Sequence, residues 1–223
     1  RLLRGEPRWG PARTAAQAGI AMLLVLAVGG GIVLAGTPAR GTVVPDATEL
    51  LHRLPTGVDP ATLPAVTVGQ DVVTFDPTLV GDGMREVVVS LAQNLEIENL
   101  ALLRRDATIL PSVDHGDRLV QMQALVAQAQ ASGTTVVEHY HFDAISVSVL
   151  FPFGRQSGPS LGLHATGTVV RETRDASGAL ASSSQQTFDL VFAMRRATGA
   201  RWLDVAVLPP DGVPPGSSAA PAP

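Results

Sequence analysis

Hydrophobic residues recur at helical spacing in the middle of the chain. Val88, Leu91, Leu95 and Leu102 follow one another at intervals of three, four and seven residues, which places all four on one helix face. This pattern predicts an amphipathic helix from Met84 to about Arg105 that buries one apolar stripe.

A second helix is predicted beyond Pro111, which cannot continue the first one. Asp114 has the position of its N-cap, and Gly133 has the position of its C-terminal stop. Its apolar positions also repeat at helical spacing: Leu119, Met122, Val126 and Ala129.

Four segments with the alternation and β-branched content of strands follow the helices. They are Thr134–Leu150, Leu161–Arg174, Gln186–Arg196 and Arg201–Leu208. The connections between them are short or moderate, which favours hairpins. Two helices followed by four strands predict an α+β domain in which the helices cover one face of an antiparallel sheet.

The longest uncharged stretch lies near the start of the sequence. Ala15–Gly36 passes about 22 residues without a charge, and a membrane-spanning helix needs about 20. Several arginines precede it, namely Arg1, Arg4, Arg8 and Arg13. The positive-inside rule then places residues 1–14 in the cytoplasm and the rest of the chain outside. A cleaved signal peptide ending near Ala35 is the alternative, and it exports the domain as well.

The composition of the remaining segments predicts a linker before the domain and a tail after it. Residues 37–83 have the composition of a stalk and turn-rich linker, with a short helix near Thr48–Leu54 and a strand near Val66–Phe75. The domain itself is expected at 84–208. The tail at 209–223 consists almost entirely of Pro, Ala, Gly and Ser, so we expect it to be disordered.

Composition excludes several classes of function. A formal net charge of −4 gives no basic footprint for nucleic acid. The chain contains no cysteine, which excludes disulfides, thiolate metal sites and cysteine nucleophiles. No phosphate-binding loop, serine nucleophile elbow or metalloprotease helix motif is present.

The order of elements, closing with Phe192–Arg195, Gly199 and Trp202–Val205, resembles the nuclear transport factor 2-like superfamily. The helical stretch Glu98–Leu110 is similar to the mitochondrial translocase-tether and plastid-division branches. Membrane-anchored members also occur in type IV secretion machines and in actinobacterial envelopes. The resemblance implies a cone in which a curved sheet wraps around helices, and it leaves function open because this fold hosts both enzymes and scaffolds.

His139, His141 and Asp143 alternate along one predicted strand and would share a face. A zinc site needs a third convergent ligand. We assume that the strands containing His141 and His164 form a hairpin about their connecting loop. His164 then lies far from His141, and Arg171 lies opposite His141. A facing arginine disfavours a cation, so we predict no metal and interpret the histidines as the polar end of a strand.

An acid/base site of the ketosteroid-isomerase kind is a further hypothesis. It needs a carboxylate and hydroxyl donors in an apolar cavity. The chain has one tyrosine, Tyr140, which shares a strand face with Glu138 and Phe142, and Asp106 is the carboxylate that best fits a cavity. The candidate ligand-binding residues are therefore His139, Tyr140, His141, Asp106 and Arg171.

These observations favour a single-pass membrane protein with an extracytoplasmic binding or scaffold domain, an accessory subunit of a cell-envelope assembly. We predict other envelope proteins as partners, no nucleic acid, no cofactor and no catalytic residue. The alternative is an exported small-molecule-binding protein, or an isomerase- or dehydratase-like enzyme, that uses the interior of the cone. An interior filled by apolar side chains would count against that alternative.

Overall fold

The computed structural model describes residues 57–197 and 201–212. The helices are α1 (Gln70–Phe75), α2 (Asp82–Arg104) and α3 (Gly116–Ser132). The strands are β1 (Val66–Val68), β2 (Thr135–Leu150), β3 (Ser160–Arg174), β4 (Leu180–Arg196) and β5 (Trp202–Leu208). A 3-10 segment, Ala107–Ser112, connects α2 to the residues before α3.

One curved sheet contains all five strands in the order β1-β2-β3-β4-β5. The predicted α+β class and the antiparallel pairing from β2 to β5 are confirmed. The strand predicted to begin near Val66 forms the fifth strand of the sheet, β1, which pairs with β2 in parallel through Val66 and Ile145. The predicted strand at Val66–Phe75 is therefore wrong beyond Val68, because α1 begins at Gln70.

A bulge in β2 between Phe142 and Ala144 bends the strand. Gly167 of β3 lies opposite Phe142. A Cβ atom on Gly167 would lie 2.0 Å from the His141 carbonyl oxygen, so the close approach at this bend requires glycine.

The inner face of the sheet is packed with apolar side chains against α2. Phe192 is fully buried and lies among the rings of Tyr140 and Phe142, with centroid distances of 5.7 and 6.2 Å. The other buried members of this core include Met84, Val87, Val88, Leu91, Leu95, Ile145, Val147, Leu163 and Met194.

Part of the segment interpreted as a stalk belongs to this packed core. Val72 and Leu79 are buried in it, and Val66 packs against it. Asp71 of α1 accepts a hydrogen bond from the Val149 backbone N–H at 2.7 Å, which ties the segment to β2. The packing therefore begins well before residue 84.

The predicted membrane helix at 15–36, the short helix near Thr48–Leu54 and most of the predicted tail lie outside the described residues. Within the described ranges, none of the helices combines the length and the hydrophobicity needed to cross a membrane.

Truncation of Phe192 should test the importance of the inner-face packing. Phe192→Ala removes a fully buried ring, and such changes typically cost about 3–5 kcal/mol of unfolding free energy. Phe75→Ala is the control, because that ring is 50% exposed and should cost far less. Urea denaturation followed by circular dichroism measures both, and equal losses would contradict this account of the core.

Candidate functional site

The two histidines singled out from the sequence lie at the solvent-accessible edge of β2. His139 Nδ1 lies 3.2 Å from Glu96 Oε1 of α2, with 43% of the histidine side chain exposed. His141 is 70% exposed, and its Nε2 lies 3.7 Å from Asp143 Oδ1. The histidines therefore contact separate carboxylates and do not converge on one point.

The predicted register of the β2–β3 hairpin is wrong. His139 pairs with Val170 and His141 pairs with Thr168, whereas Arg171 pairs with Glu138. The expectation assumed a symmetric connection, but the hairpin closes at Leu150 and Ser160 and β2 contains a bulge. Neither histidine therefore has an arginine as its pairing partner on β3.

Arg171 and Tyr140 instead bind the same carboxylate. Arg171 Nε donates to Glu138 Oε1 at 2.5 Å, and the Tyr140 hydroxyl donates to Glu138 Oε2 at 2.6 Å. Burial of Tyr140 and the negative charge of Glu138 raise the pKa of the phenol. The phenol therefore stays protonated and bound to Glu138.

Asp106 does not enter a cavity. Its Oδ1 caps the 3-10 segment by accepting from the Thr108 hydroxyl at 2.6 Å and the Thr108 backbone N–H at 2.9 Å. These two hydrogen bonds lower the pKa of the exposed Asp106 carboxyl. Its geometry is that of a structural cap.

Three buried carboxylates form a cluster between the helices and the sheet. They belong to Glu98 of α2, Asp114 before α3 and Asp204 of β5. They are 3%, 1% and 0% exposed. One oxygen of each lies within 4.8 Å of the others. Arg118 of α3 binds both oxygens of Glu98, with its Nε 2.7 Å from Oε1. We call these four residues the acidic cluster.

Backbone pairing holds the cluster in place. The Asp204 N–H donates to the Val113 carbonyl at 2.8 Å, and the His115 N–H donates to the Asp204 carbonyl at 2.9 Å. Asp114 therefore lies beside β5 and is not the N-cap of α3, which is His115. The predicted cap is wrong because this pairing buries the Asp114 side chain.

Asn94 extends the polar contacts on the other side of Asp204. Its Nδ2 donates to the Trp202 carbonyl at 3.0 Å and to Asp204 Oδ1 at 3.3 Å. Its Oδ1 accepts from Arg201 Nη2 at 2.6 Å. Both Asp114 oxygens and Asp204 Oδ2 have no hydrogen-bond partner within the described part of the chain.

The cluster carries more negative charge than Arg118 can neutralise. Burial raises the pKa of Asp114 well above its ordinary value, and the charges of Glu98 and Asp204 raise it further. Burial and the charge of Glu98 likewise raise the pKa of Asp204. Burial lowers the pKa of Arg118, but Glu98, Asp114 and Asp204 together outweigh burial and raise it. The excess charge must be removed by a proton or by a bound cation.

The geometry favours a proton over a metal ion. Arg118 occupies both Glu98 oxygens, so three carboxylate oxygens remain without a partner. Ca²⁺ takes six to eight oxygens and Mg²⁺ takes six. A guanidinium ion beside the site also repels a cation. A protonated Asp114 can donate to Glu98, and this shares one proton between two carboxyl groups.

A signal for this cluster was present in the sequence. Glu98 fills the position that completes the helical stripe between Leu95 and Leu102. Asp204 lies two residues after Trp202, so the two side chains share a strand face, and Trp202 is 6% exposed. A carboxylate on each buried face predicts a polar contact between helix and sheet.

Two open grooves lie on the surface of the described residues. One, of about 310 Å³, lies between β1 and the start of α2 and includes Arg85. The other, of about 280 Å³, lies along the β2 edge and is lined by Tyr140, His141, Glu96 and several residues of 57–63. Two of the predicted ligand-binding residues therefore line one surface groove.

No protein-family model matches the sequence, and no curated protein matches it. Among solved structures, the chain is similar to the crystal structure of the intermembrane space region of chloroplast protein ARC6. The TM-score is 0.41 at 16% identity, over 53% of this chain and 88% of that chain. A likeness of this size carries no argument about function.

Asp114→Asn should reveal the buried proton. A carboxyl whose folded pKa is raised stabilises the fold fully at low pH, and this stability is lost as the pH rises above 3.8 through the folded pKa. The amide is neutral at every pH, so the variant should be more stable than the parent at neutral pH, with a flatter pH profile. Chemical denaturation at several pH values measures this difference.

Asp106→Asn is the matched control, because the Asp106 pKa is lowered. Its contribution is present above 3.8 and is lost as the pH falls through the folded pKa. This variant should therefore lose stability at neutral pH and little at acid pH. An Asp114→Asn profile parallel to that of the parent would show that Asp114 is ionised in the fold.

Arg118→Met should be strongly destabilising, because it leaves Glu98 buried beside two other carboxyl groups. Removing one partner of a buried ion pair typically costs about 3–5 kcal/mol. Arg174→Met is the control, since Arg174 binds Glu172 with 32% of its side chain exposed and should cost about 1 kcal/mol or less. Thermal and urea unfolding measure both, and equal small losses would contradict this role of Arg118.

Proposed function

We propose that this protein is a membrane-anchored, extracytoplasmic binding domain that acts as an accessory subunit of a cell-envelope assembly. In this proposal residues 15–36 form the anchor and the described domain has a nuclear transport factor 2-like fold. The observation that carries the proposed binding role is the filling of the inner face of the sheet by apolar side chains.

An interior ligand site needs space bordered by polar groups. Phe142, Leu163, Phe192 and Met194 occupy the inner face and contact α2 instead. Tyr140, the hydroxyl donor of the enzyme hypothesis, is bound to Glu138. This packing supports recognition at the outer surface rather than chemistry inside the cone.

The outer face of the sheet offers such a surface. His141, Thr168 and Thr187 form a row across three neighbouring strands, because each is the pairing partner of the next. His164 Nε2 lies 2.6 Å from Asp189 Oδ1 on the same face. The row leads to the groove at the β2 edge, which His141 also lines. An exposed polar face beside a groove is suited to a protein partner.

In-cell photo-crosslinking tests the proposal. A benzophenone amino acid at position 141 should form an adduct with a second envelope protein, and Thr168→Arg in the same chain should abolish that adduct by placing a large charge in the interface. The control is the same crosslinker at Gln123, on the exposed face of α3 away from the sheet. Mass spectrometry identifies the partner and distinguishes it from a second copy of this chain.

Topology is tested on the same full chain with a tag at each end. External protease should remove the C-terminal tag of intact cells or spheroplasts and leave the N-terminal tag protected. A protected C-terminal tag would contradict the extracytoplasmic location. An exposed tag without any heterologous adduct at position 141 would contradict the binding role.

A further inference from the structure

Within the described residues, no other strand pairs with one edge of the sheet over most of a long strand. β5 pairs only with the end of β4, from Val191 to Arg196. Residues 180–190 therefore have β3 on one side and, within the described ranges, no strand on the other. Backbone N–H and C=O groups along this free β4 edge are available for pairing with another strand.

Specific contacts bind the backbone at points on the other edges. Next to β1, the Asn99 side chain of α2 donates to the Glu138 carbonyl at 2.8 Å and accepts from the Glu138 N–H at 3.0 Å. On β5, Val113 and His115 bind the backbone of Asp204. β1 itself is only three residues long. The free β4 edge differs from these edges, which are short or capped.

The free β4 edge also lacks the features that usually block strand pairing. From Leu180 to Phe188 it contains no proline, no lysine and no charged residue. Its pairing with β3 is regular from Ser182 onward, without a bulge that would turn the edge away. Every residue from Leu180 to Thr187 is exposed, so both faces of the strand are free of other elements.

Charges on the adjacent strand are neutralised internally. Arg171 binds Glu138, and Arg174 binds Glu172 at 2.6 Å. Asp189 is the one charged residue of β4 before Arg195. The free edge is therefore a polar, neutral segment of β4 rather than a basic or acidic one.

We propose that the free β4 edge pairs antiparallel with the same edge of a second copy of this chain, which joins two five-stranded sheets into one. A two-fold interface requires a segment that is compatible with itself. An axis at Ser184 or Gln185 keeps the partner's β4 opposite residues 180–190, clear of β5, and leaves Asp189 opposite Ala179 or Ala181, so like charges do not meet. The segment 213–223 is a poor occupant, because four of its residues are prolines without a backbone N–H.

Paired lysines on the edge test the interface. Gln185→Lys/Thr187→Lys puts two positive charges on the outer face of each β4, and the symmetric pairing brings four together. The purified full chain in detergent should sediment as a dimer, and the variant should dimerise at least about tenfold more weakly. The control is Ala144→Lys/Ser146→Lys on β2, whose outer-face positions are exposed but lie on a strand paired on both sides. It should dimerise like the parent.

Cysteine crosslinking provides a second readout that does not depend on charged variants. The chain has no cysteine, so a single substitution reports only its own contacts. Single cysteines at positions 183 to 187 should form an intermolecular disulfide with one maximum, at the residue closest to the two-fold axis, while Ser146→Cys should not. A parent chain that stays monomeric, a control that dissociates like the β4 variant, or uniform crosslinking would overturn the proposal.

Discussion

The ion pair between Glu98 and Arg118 connects the parts of the domain that the chain places far apart. It joins α2 to α3, and through Asp204 and Asn94 the same polar contacts reach β5. Most other contacts of α2 with the sheet are apolar, apart from those of Asn99 with Glu138 and of Glu96 with His139, and apolar contacts tolerate sliding better than directed hydrogen bonds do. The acidic cluster therefore fixes the position of α3 and β5 relative to α2.

Such a cluster is costly to bury, and the contacts around it offset only part of that cost, because both Asp114 oxygens and Asp204 Oδ2 have no partner in the described part of the chain. Asp204 is held by backbone bonds to Val113 and His115, and Asn94 binds one of its oxygens. The apolar inner face next to it excludes water, which strengthens the attraction of Arg118 and raises the cost of each unpaired carboxylate. The same packing fills the interior, which is the reason for proposing recognition at the outer face and the edges of the sheet.

The sequence was a good guide to local structure. Helical spacing of apolar residues located α2 to within about two residues at each end, and β-branched alternation located β2, β3 and β5. These features depend on neighbouring residues, so period and turn residues are sufficient to predict them. β4 was predicted to begin at Gln186 but begins at Leu180, because its exposed first half has a polar, serine-rich sequence.

Features that depend on distant residues were not predictable in the same way. The β2–β3 register depends on loop length and on a bulge opposite Gly167, and an error of a few residues moved Arg171 from His141 to Glu138. Asp114 has the local pattern of a helix cap, and only its pairing with Asp204 shows that it is buried. Glu98 was the exception, since a carboxylate within an apolar stripe is a local sign of a distant partner.

The acidic cluster also affects the pH range in which the domain is stable. Carboxyl groups with raised pKa values stabilise a fold more as the medium becomes more acidic, whereas caps such as Asp106 lose their contribution only at lower pH. In a mildly acidic medium the buried carboxyl groups are protonated more than at neutral pH, while Asp106 remains ionised. Both effects favour the folded state. The buried carboxyl groups therefore destabilise the fold less in a mildly acidic medium than at neutral pH.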